Sequence, residues 1–414
     1  MEPGETYWDI VWRQFRRNRF AYVALWSLVP VVTVAIFAPL LSSNVPLVFR
    51  TPDGTFFPWL RGLFHPDEPV DFVFNMALLG FPLWLLSVLI RRPAWNRRGL
   101  TSRVQVLHGV FGYVVITLAL TAVFAMPSLR PNNRFRASNF PAEEFASPET
   151  KHATYVLIPF GPFEQDVKSR FEKPFYRKPQ SSWEDSNDGV IHPLGTDDSG
   201  RDVLTRMIYG TRLAITVGFA AVSIYLTIGC IVGALAGYFG GWVDILISRV
   251  VEIVMLFPAF FLILTLVALM GPSIYIIMGV IGVTSWPSIA RLIRGEVLKQ
   301  RAADYVSAAQ ALGFSHARII FRHLLPNSLT PALVAAPFGI AGAIITEAGL
   351  SLLGFGVRPP APTWGSLLQL AHGNYSYWWL VVFPSLAIFF TVTIFNLIGG
   401  GLRDAMDPRL RATE

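Results

Sequence analysis

Seven stretches of the chain contain no Asp, Glu, Lys or Arg, and charged segments separate them. They are residues 20–49, 72–90, 104–129, 213–243, 253–290, 329–346 and 378–402. A helix needs about 20 apolar residues to cross a bilayer, and its backbone polar groups must pair within the element. The run over 253–290 has 38 residues, too many for one crossing, and Gly271-Pro272 divides it in two. The pattern therefore predicts an all-α integral membrane protein with about eight transmembrane helices.

Composition agrees with this class, since 53% of the residues are hydrophobic and 15% are charged. Such values exclude an ordinary soluble enzyme. The net charge of +7 could indicate a nucleic-acid partner. The arginines stand beside the apolar runs instead, where membrane topology places them, so no nucleic-acid binding is expected. The single cysteine, Cys230, lies inside an apolar run and predicts neither a disulfide framework nor a metal site.

The basic residues also predict the orientation of the chain. Residues 13–19 contain four arginines, and residues 91–103 contain five arginines and no acid. Basic segments beside membrane helices face the cytoplasm. Eight crossings then place both termini in the cytoplasm and residues 130–210 outside.

Five regions follow from these runs. They are a cytoplasmic N-terminus at 1–19, a first helix and hairpin over 20–129, an external segment at 130–210, a transmembrane core over 211–402 and a cytoplasmic tail at 403–414. The external segment is rich in Pro, Asn, Ser and charge and has weak periodicity, which predicts an irregular structure. A covering lid is favoured there over a direct substrate-binding surface.

The end of the external segment reads HPLGTDDSGRDVL over residues 192–204. The spacing of Gly195 and Gly200 is that of a phosphate-binding loop, but Arg and Asp follow where Lys and Ser or Thr are required. No nucleotide site is therefore expected. Asp197 or Ser199 is predicted to cap a helix that begins near Arg201.

A polar segment at residues 304–327 separates two apolar runs and must face water. Residues 302–312 are predicted to form a short helix, and four of its side chains share one face by their spacing. These are Tyr305, Ala308, Ala309 and Leu312. Gly313 can adopt a positive φ and end that helix, and Pro326 is predicted to break a second helix before residue 329 enters the membrane. An ordinary cytoplasmic loop, in which Gly and Pro only set turns, is the alternative interpretation.

Ala308, Ala309 and Gly313, followed by Leu325-Pro326-Asn327, resemble the coupling-loop signature of ABC importer permeases. Further segments resemble the dipeptide, oligopeptide and nickel branch of that family, in the same order along the chain. They are residues 192–204, 237–244, 347–356, 359–365 and 396–409, and together they cover about residues 190–410. The resemblance identifies a C-type permease subunit. Ser307 departs from the signature, which has Glu at that position.

Six helices are usual in this family, so residues 72–129 add a hairpin to a six-helix core. The N-terminal arginines and residues 46–58 are similar to the Yej-type branch, which is associated with oligopeptides and peptide antibiotics such as microcin. The added hairpin has no counterpart in that comparison.

The resemblance implies a permease that catalyses no reaction and binds no cofactor itself. Its implied partners are a homologous B-type permease, two cytoplasmic ABC ATPases that bind ATP and Mg²⁺, an external solute-binding protein and the lipid of a bacterial inner membrane. It implies ATPase coupling through the loop within residues 291–327. The coupling residues would be Tyr305, Ser307, Ala308, Ala309, Gln310, Gly313, His323, Pro326 and Asn327.

Other residues are singled out by their position. Gly229, Gly233 and Gly237 recur every fourth residue and predict a close helix–helix contact. Glu347 lies at the end of an apolar run, where it could meet a peptide ammonium group or cap the loop that follows; Trp364 lies in that loop. Glu252 is expected to pair with Arg249 at the membrane interface.

Two other classes of function compete with transport. One is a membrane scaffold or sensor whose external segment binds a ligand. The other is an intramembrane enzyme, which is disfavoured because no facing His/Glu or Ser/Lys pair occurs within the apolar runs. The transported solute stays open among dipeptides, longer peptides, peptide antibiotics and nickel complexes.

Overall fold

The computed structural model describes residues 7–51, 54–97, 102–131, 153–177, 191–372 and 376–407. These residues are mostly helical. The N-terminal part contains helices α1 (Tyr7–Arg17), α2 (Arg19–Leu41), α3 (Pro58–Gly62), α4 (Pro69–Arg97) and α5 (Ser102–Ala125). The remainder contains α6 (Val203–Phe239), α7 (Gly241–Leu256), α8 (Ala259–Met270), α9 (Ile274–Arg301), α10 (Asp304–Ala311), α11 (His316–Arg318), α12 (Leu325–Ser328), α13 (Thr330–Leu352), α14 (Trp364–Leu370) and α15 (Trp379–Met406).

Within the described ranges, seven helices are long and apolar enough to cross a membrane, or eight if the bent pair α7 and α8 is counted as one span. This confirms the predicted fold class. The predicted break at Gly271-Pro272 is confirmed, because α8 ends at Met270 and α9 begins at Ile274. A second break was not predicted: α7 and α8 meet at an angle of 83° around Phe257-Pro258. Proline has no N–H to donate and forces the preceding residue into an extended backbone, which Phe257 adopts at φ −82° and ψ 132°. The broken span therefore runs over residues 241–270 and begins earlier than the apolar run.

Helix α6 begins at Val203, ten residues before its apolar run. Its N-cap is Asp202, whose Oδ1 accepts the backbone N–H of Thr205 at 2.7 Å. The expectation that Asp197 or Ser199 caps this helix is therefore wrong. Asp197 instead accepts a hydrogen bond from the side chain of Arg201. At the other end, Gly240 and Gly241 both have a positive φ, which allows the tight turn into α7.

The longest helix, α6, packs against α9 through three glycines. A Cβ at Gly229 would lie 2.7 Å from Cβ of Ile289. A Cβ at Gly233 would lie 2.5 Å from the carbonyl oxygen of Ala290, and one at Gly237 would lie 2.9 Å from that of Arg294. The two backbones therefore touch along three successive turns. Close backbone approach of this kind supplies the van der Waals contact that holds helices together in lipid.

We expect Gly233→Ala to destabilise the folded chain by about 1–3 kcal/mol, because its methyl group would collide with backbone rather than with a mobile side chain. Gly279→Ala in α9 is the matched control, since a Cβ there would meet no atom within 4 Å in the part of the chain that the structure describes. Thermal unfolding of the two purified variants gives the comparison. Equal stability of the two variants would contradict the close contact.

A small sheet joins the residues after α2 to the segment before α6. Strands β1 (Val48–Thr51) and β2 (Gly54–Phe56) form an antiparallel hairpin, and β3 (Ala153–Thr154) pairs with the other edge of β1, with Phe49 opposite Ala153. A second pair joins β4 (Tyr176–Arg177) and β5 (Ile191–His192). These short strands connect residues 153–177 to elements on both sides of the hairpin α4–α5.

The two helices of the hairpin are joined by hydrogen bonds from aromatic side chains to backbone carbonyls. Trp84 Nε1 donates to the oxygen of Gly109 at 2.7 Å, and the Tyr113 hydroxyl donates to the oxygen of Ala77 at 2.9 Å. The rings of Trp84 and Tyr113 lie 5.5 Å apart, and Phe81 contacts both, at 5.5 Å from Trp84 and 6.4 Å from Tyr113. Apolar side chains cover much of the remaining hairpin surface and are exposed.

Arg212 fixes this hairpin to the rest of the bundle. Its Nη1 donates to Asp71 at 2.8 Å and to Asn75 at 3.0 Å, both in α4. Its Nε donates to the carbonyl oxygen of Ala35 in α2 at 2.6 Å. One buried guanidinium therefore joins α2, α4 and α6.

Candidate coupling surface and the opposite end of the bundle

Helix α10 ends in a turn that Gly313 makes possible. Gly313 has φ +73°; its N–H donates to the oxygen of Gln310 at 2.9 Å, and the N–H of Phe314 donates to that of Ala309 at 3.1 Å. These two bonds are the Schellman arrangement, in which the residue after the helix takes a left-handed conformation that favours glycine. The chain reverses here and enters α11.

One side of α10 packs inward and the other is exposed. Val306 and Ala309 are buried. Tyr305, Ala308 and Leu312 are exposed, and Leu312 retains 72% of its accessible area. The prediction that Ala309 shares a face with Tyr305, Ala308 and Leu312 is therefore wrong. Ala309 lies beside Val306 on the side of α10 that faces the bundle. We call the exposed residues the candidate coupling surface; they are Tyr305, Ser307, Ala308, Gln310, Leu312 and Gly313.

The segment after Gly313 lies against the core. Ile319, Ile320 and Leu324 are buried in the cluster that also contains Val306 and Ala309. Residues 319–324 form a widened turn of π-helix, and Pro326 lies near the start of α12, where its missing N–H is tolerated. The helical structure continues to Ser328, so the predicted break at Pro326 is wrong.

Four polar or aromatic contacts fix this segment. The rings of His323 and Phe314 stack at 5.8 Å, and the guanidinium of Arg318 lies 4.0 Å from the Phe314 ring. Asn327 Nδ2 donates to the carbonyl oxygen of His323 at 2.9 Å. The hydroxyl of Tyr238, at the end of α6, lies 2.7 Å from Nδ1 of His316. His323 is half-buried and Asn327 is exposed. These contacts join both side chains to other residues of the same segment.

The opposite end of α6 contains a buried ionic cluster. Asp197 accepts a hydrogen bond from Nε of Arg201 at 2.7 Å, and the Oδ2 atom of Asp197 lies 3.4 Å from Nε of Arg206. Asp202 also contacts Nδ1 of His192 at 2.9 Å. Burial of these charges is tolerable because each is paired. The charged side chains of the 192–204 motif therefore hold the chain together at this end.

Two loops converge on this cluster. Arg206 Nη1 donates to the carbonyl oxygen of Pro360 at 3.1 Å, from the loop before α14. Gly200 has φ +74°, and a Cβ there would lie 1.7 Å from the oxygen of Asp166. Trp379 Nε1 donates to the oxygen of Thr196 at 3.1 Å. We call the end of the bundle formed by residues 191–206 and these partners the collar.

Glu347 and Trp364 belong to the packed structure near the collar. Glu347 is 3% exposed, and the hydroxyl of Ser351 donates to its Oε1 at 2.6 Å. Trp364 is buried and its Nε1 donates to the oxygen of Met207 at 3.1 Å. Neither side chain forms part of the surface of this chain. For Glu347 the geometry favours the loop-capping interpretation over contact with a solute.

The interfacial pair expected between Arg249 and Glu252 is present at 2.6 Å, with both side chains more than half exposed. The pair between Arg212 and Asp71 was not expected. Each residue lies immediately outside an apolar run, and the sequence gives no signal that pairs them. Helical spacing could have revealed Arg212, because Ile208 and Ile215 on the same face are buried in α6.

These features define a multi-span helical membrane protein with a water-exposed helix at one end and a charged collar at the other. A model of the family described as binding-protein-dependent transport system inner membrane component matches residues 229–412. A second model, described as the N-terminal TM domain of oligopeptide transport permease C, matches residues 6–52. The hairpin α4–α5 lies between the two matched regions.

Curated relatives agree with these matches. A dipeptide transport system permease protein of Alkalihalophilus pseudofirmus is 43% identical over 53% of this chain and 73% of its own length. A glutathione transport system permease protein of Pectobacterium atrosepticum is 40% identical over 53% of this chain and 74% of its own length. The crystal structure of an amino acid ABC transporter with histidines has 17% identity and a TM-score of 0.37, over 48% of this chain and 92% of that one.

The chain belongs to the inner-membrane components of binding-protein-dependent transport systems. It is a transmembrane permease subunit of an importer, and this family is not itself catalytic. The scaffold or sensor interpretation is not favoured.

Proposed function

We propose that this chain forms one half of a peptide-importing pore and receives its driving force at the candidate coupling surface. ATP hydrolysis by a cytoplasmic ATPase would move α10 and thereby switch the bundle between inward-open and outward-open states. The observation that carries this proposal is the structure of α10, with one face exposed and the other joined to the ends of α6 and α9.

The buried side of α10 provides a path for this force. Val306 and Ala309 belong to one packed cluster with Val297 of α9 and Tyr238 of α6. Close-packed interiors transmit displacement rather than absorb it. A push on α10 would therefore move both long helices together.

Helix α6 connects the two ends of the proposed mechanism. Its 37 residues rise about 1.5 Å each, which gives a length of about 55 Å. Its last turns contact the segment next to the coupling surface, and its first turns hold the collar through Arg206. A rigid helix of this length can carry movement at one face of the membrane to the other.

The proposed orientation rests on the distribution of arginines. The residues at the coupling end include Arg301, Arg318 and Arg322. Positive residues beside membrane spans face the cytoplasm. Both termini and the coupling surface are then cytoplasmic, in the bacterial inner membrane, and the collar faces a solute-binding protein outside.

The remaining partners follow from the family. A second, B-type permease would complete the pore, and two ABC ATPases would bind ATP and Mg²⁺. The substrate class is proposed to be peptides, because the relatives include dipeptide and glutathione permeases and the N-terminal match is to an oligopeptide permease domain. The external binding protein would select among peptides.

Cysteine cross-linking tests the docking surface. Cys230 is buried, so a Cys230→Ala background allows a single exposed cysteine to be introduced. We expect Ala308→Cys to cross-link to a co-expressed ATPase in the assembled complex, because its small side chain lies on the exposed face of α10. Lys168→Cys, which is exposed near the collar end, is the matched control and should not react with the ATPase. Cross-linking from Lys168→Cys alone would reverse the proposed orientation.

A further inference from the structure

Positive charge is concentrated at the end of the hairpin α4–α5, and the proposed transport mechanism assigns no role to it. Residues 91–103 contain five arginines and no acid. Arg91, Arg92 and Arg97 lie in the last turns of α4, and all three are exposed. The guanidinium groups therefore project from a helix that extends beyond its apolar stretch.

Side-chain contacts hold the two helix ends together at this point. Gln105 Nε2 donates to Oδ1 of Asn96 at 2.9 Å, which joins α5 to α4. The rings of Trp95 and His108 lie 6.1 Å apart across the same junction. The exposed arginines of α4 are thus presented by a fixed helical pair.

Exposed apolar side chains begin immediately next to these arginines. Leu89 and Ile90 in α4 and Val106 and Leu107 in α5 are all exposed. Such side chains lie in the hydrocarbon region of a bilayer, whereas Trp residues and the Arg residues that flank membrane helices lie at its interface. The arginines are therefore at the level of the lipid headgroups.

We propose that this end of the hairpin is a binding site for anionic phospholipid headgroups. A guanidinium group can donate two parallel hydrogen bonds to phosphate, and several clustered arginines favour a lipid with net negative charge over a zwitterionic one. The adjoining apolar surface would contact the acyl chains of the same lipid. A soluble phosphate or an acidic protein would leave that surface unused.

The site would also fix the transport core relative to the membrane surface. Arg212 joins the hairpin to α2 and α6 through buried hydrogen bonds. A lipid bound at the far end of α4 would therefore hold the whole bundle rather than a separate appendage. This inference rests on the membrane location of the chain and not on its peptide substrate.

Brominated lipids test the site in the full transporter complex. Bromine on an acyl chain quenches nearby tryptophan fluorescence, and the difference between the unmodified protein and Trp95→Phe isolates the signal at the site. We expect brominated phosphatidylglycerol to quench Trp95 at a much lower mole fraction than brominated phosphatidylcholine. Equal quenching by the two lipids would overturn the proposal, and this comparison needs no arginine variant to fold.

A charge variant then assigns the binding to the arginines. Each arginine near a membrane surface contributes about fivefold in affinity for anionic lipid, so Arg91→Gln/Arg92→Gln/Arg97→Gln should weaken the phosphatidylglycerol effect at least about tenfold. The control Arg50→Gln/Lys168→Gln/Arg170→Gln removes the same number of exposed charges elsewhere and should leave it unchanged. Unchanged lipid preference in the first variant would overturn the assignment.

Inorganic phosphate distinguishes the two sources of a phosphate group. At constant ionic strength, replacing chloride by phosphate should leave quenching by brominated phosphatidylglycerol unchanged. Displacement of the lipid by phosphate alone would show a site for the free anion and would overturn the lipid assignment.

Discussion

Gly313→Val is expected to lower peptide uptake and solute-stimulated ATP hydrolysis by the assembled transporter about tenfold or more while leaving the chain inserted in the membrane. Gly313 has φ +73°, and a β-branched residue is an outlier in that conformation. A left-handed backbone costs about 1–2 kcal/mol for residues other than glycine, which reduces the population of the native turn about tenfold. The turn sets the direction in which α10 presents its exposed face. Uptake and ATPase assays on proteoliposomes containing the whole complex measure the effect.

Gly313→Asn is the matched variant, because asparagine tolerates a positive φ better than other residues with a side chain. A Cβ at this position meets no atom of the described residues within 4 Å, so space within that part of the chain does not distinguish the two replacements. We expect Gly313→Asn to retain a large part of the coupled activity. Loss of activity in both variants would show that the partner approaches the glycine itself. Normal uptake by Gly313→Val would refute the coupling role of the turn.

The second large effect is expected from Asp71→Ala, which leaves Arg212 buried without its ionic partner. Asp71 is 5% exposed and Arg212 is fully buried. Removing one member of a buried ion pair destabilises proteins by about 3–5 kcal/mol, because the other charge stays desolvated. Arg212 lies in α6 and donates both to Asp71 in α4 and to the backbone of α2. Without Asp71, α4 should therefore lose its attachment to both of the other helices. The free energy of unfolding of the purified chain, obtained from denaturant titration, measures the loss.

The pair formed by Arg249 and Glu252 provides a control of the same chemistry at the surface. Both side chains are more than half exposed, and exposed pairs contribute about 0–1 kcal/mol. Glu252→Ala should therefore change stability little. The double variant Asp71→Leu/Arg212→Met should recover much of the stability lost in Asp71→Ala, because it removes the unpaired charge. Equal losses in Asp71→Ala and Glu252→Ala would show that water reaches the inner pair.

The membrane spans were predictable because a single physical requirement acts on each of them separately. Continuous apolar runs of sufficient length are needed wherever a helix crosses lipid, and that requirement is visible in the sequence. The break at Gly271-Pro272 was predicted, whereas the bend at Phe257-Pro258 was not, although proline is a visible signal. An apolar run shows where lipid is met but not where a helix bends inside it.

The turn at Gly313 and the glycine contact were predictable for a related reason. A positive φ favours glycine, and a spacing of four residues places Gly229, Gly233 and Gly237 on one helix face. Both are local properties of a helix or a turn. The inward position of Ala309 was not predictable from the same helix, because its neighbour Val306 and the cluster with Ile319 decide which side is buried.

The sequence by itself determined the apolar helices, the polar segment at 304–327 that separates two of them and the turn at Gly313, because each depends on residues adjacent in the chain. Only the tertiary structure decided that Arg212 joins three helices, that Glu347 is bonded within the bundle and that Asp202 rather than Asp197 begins α6. Each of these depends on which hydrogen-bond partners meet in the folded chain. Some of these partners are more than a hundred residues apart, as Asp71 and Arg212 are. A buried charge is stable only beside its partner, and helix packing sets which partners meet.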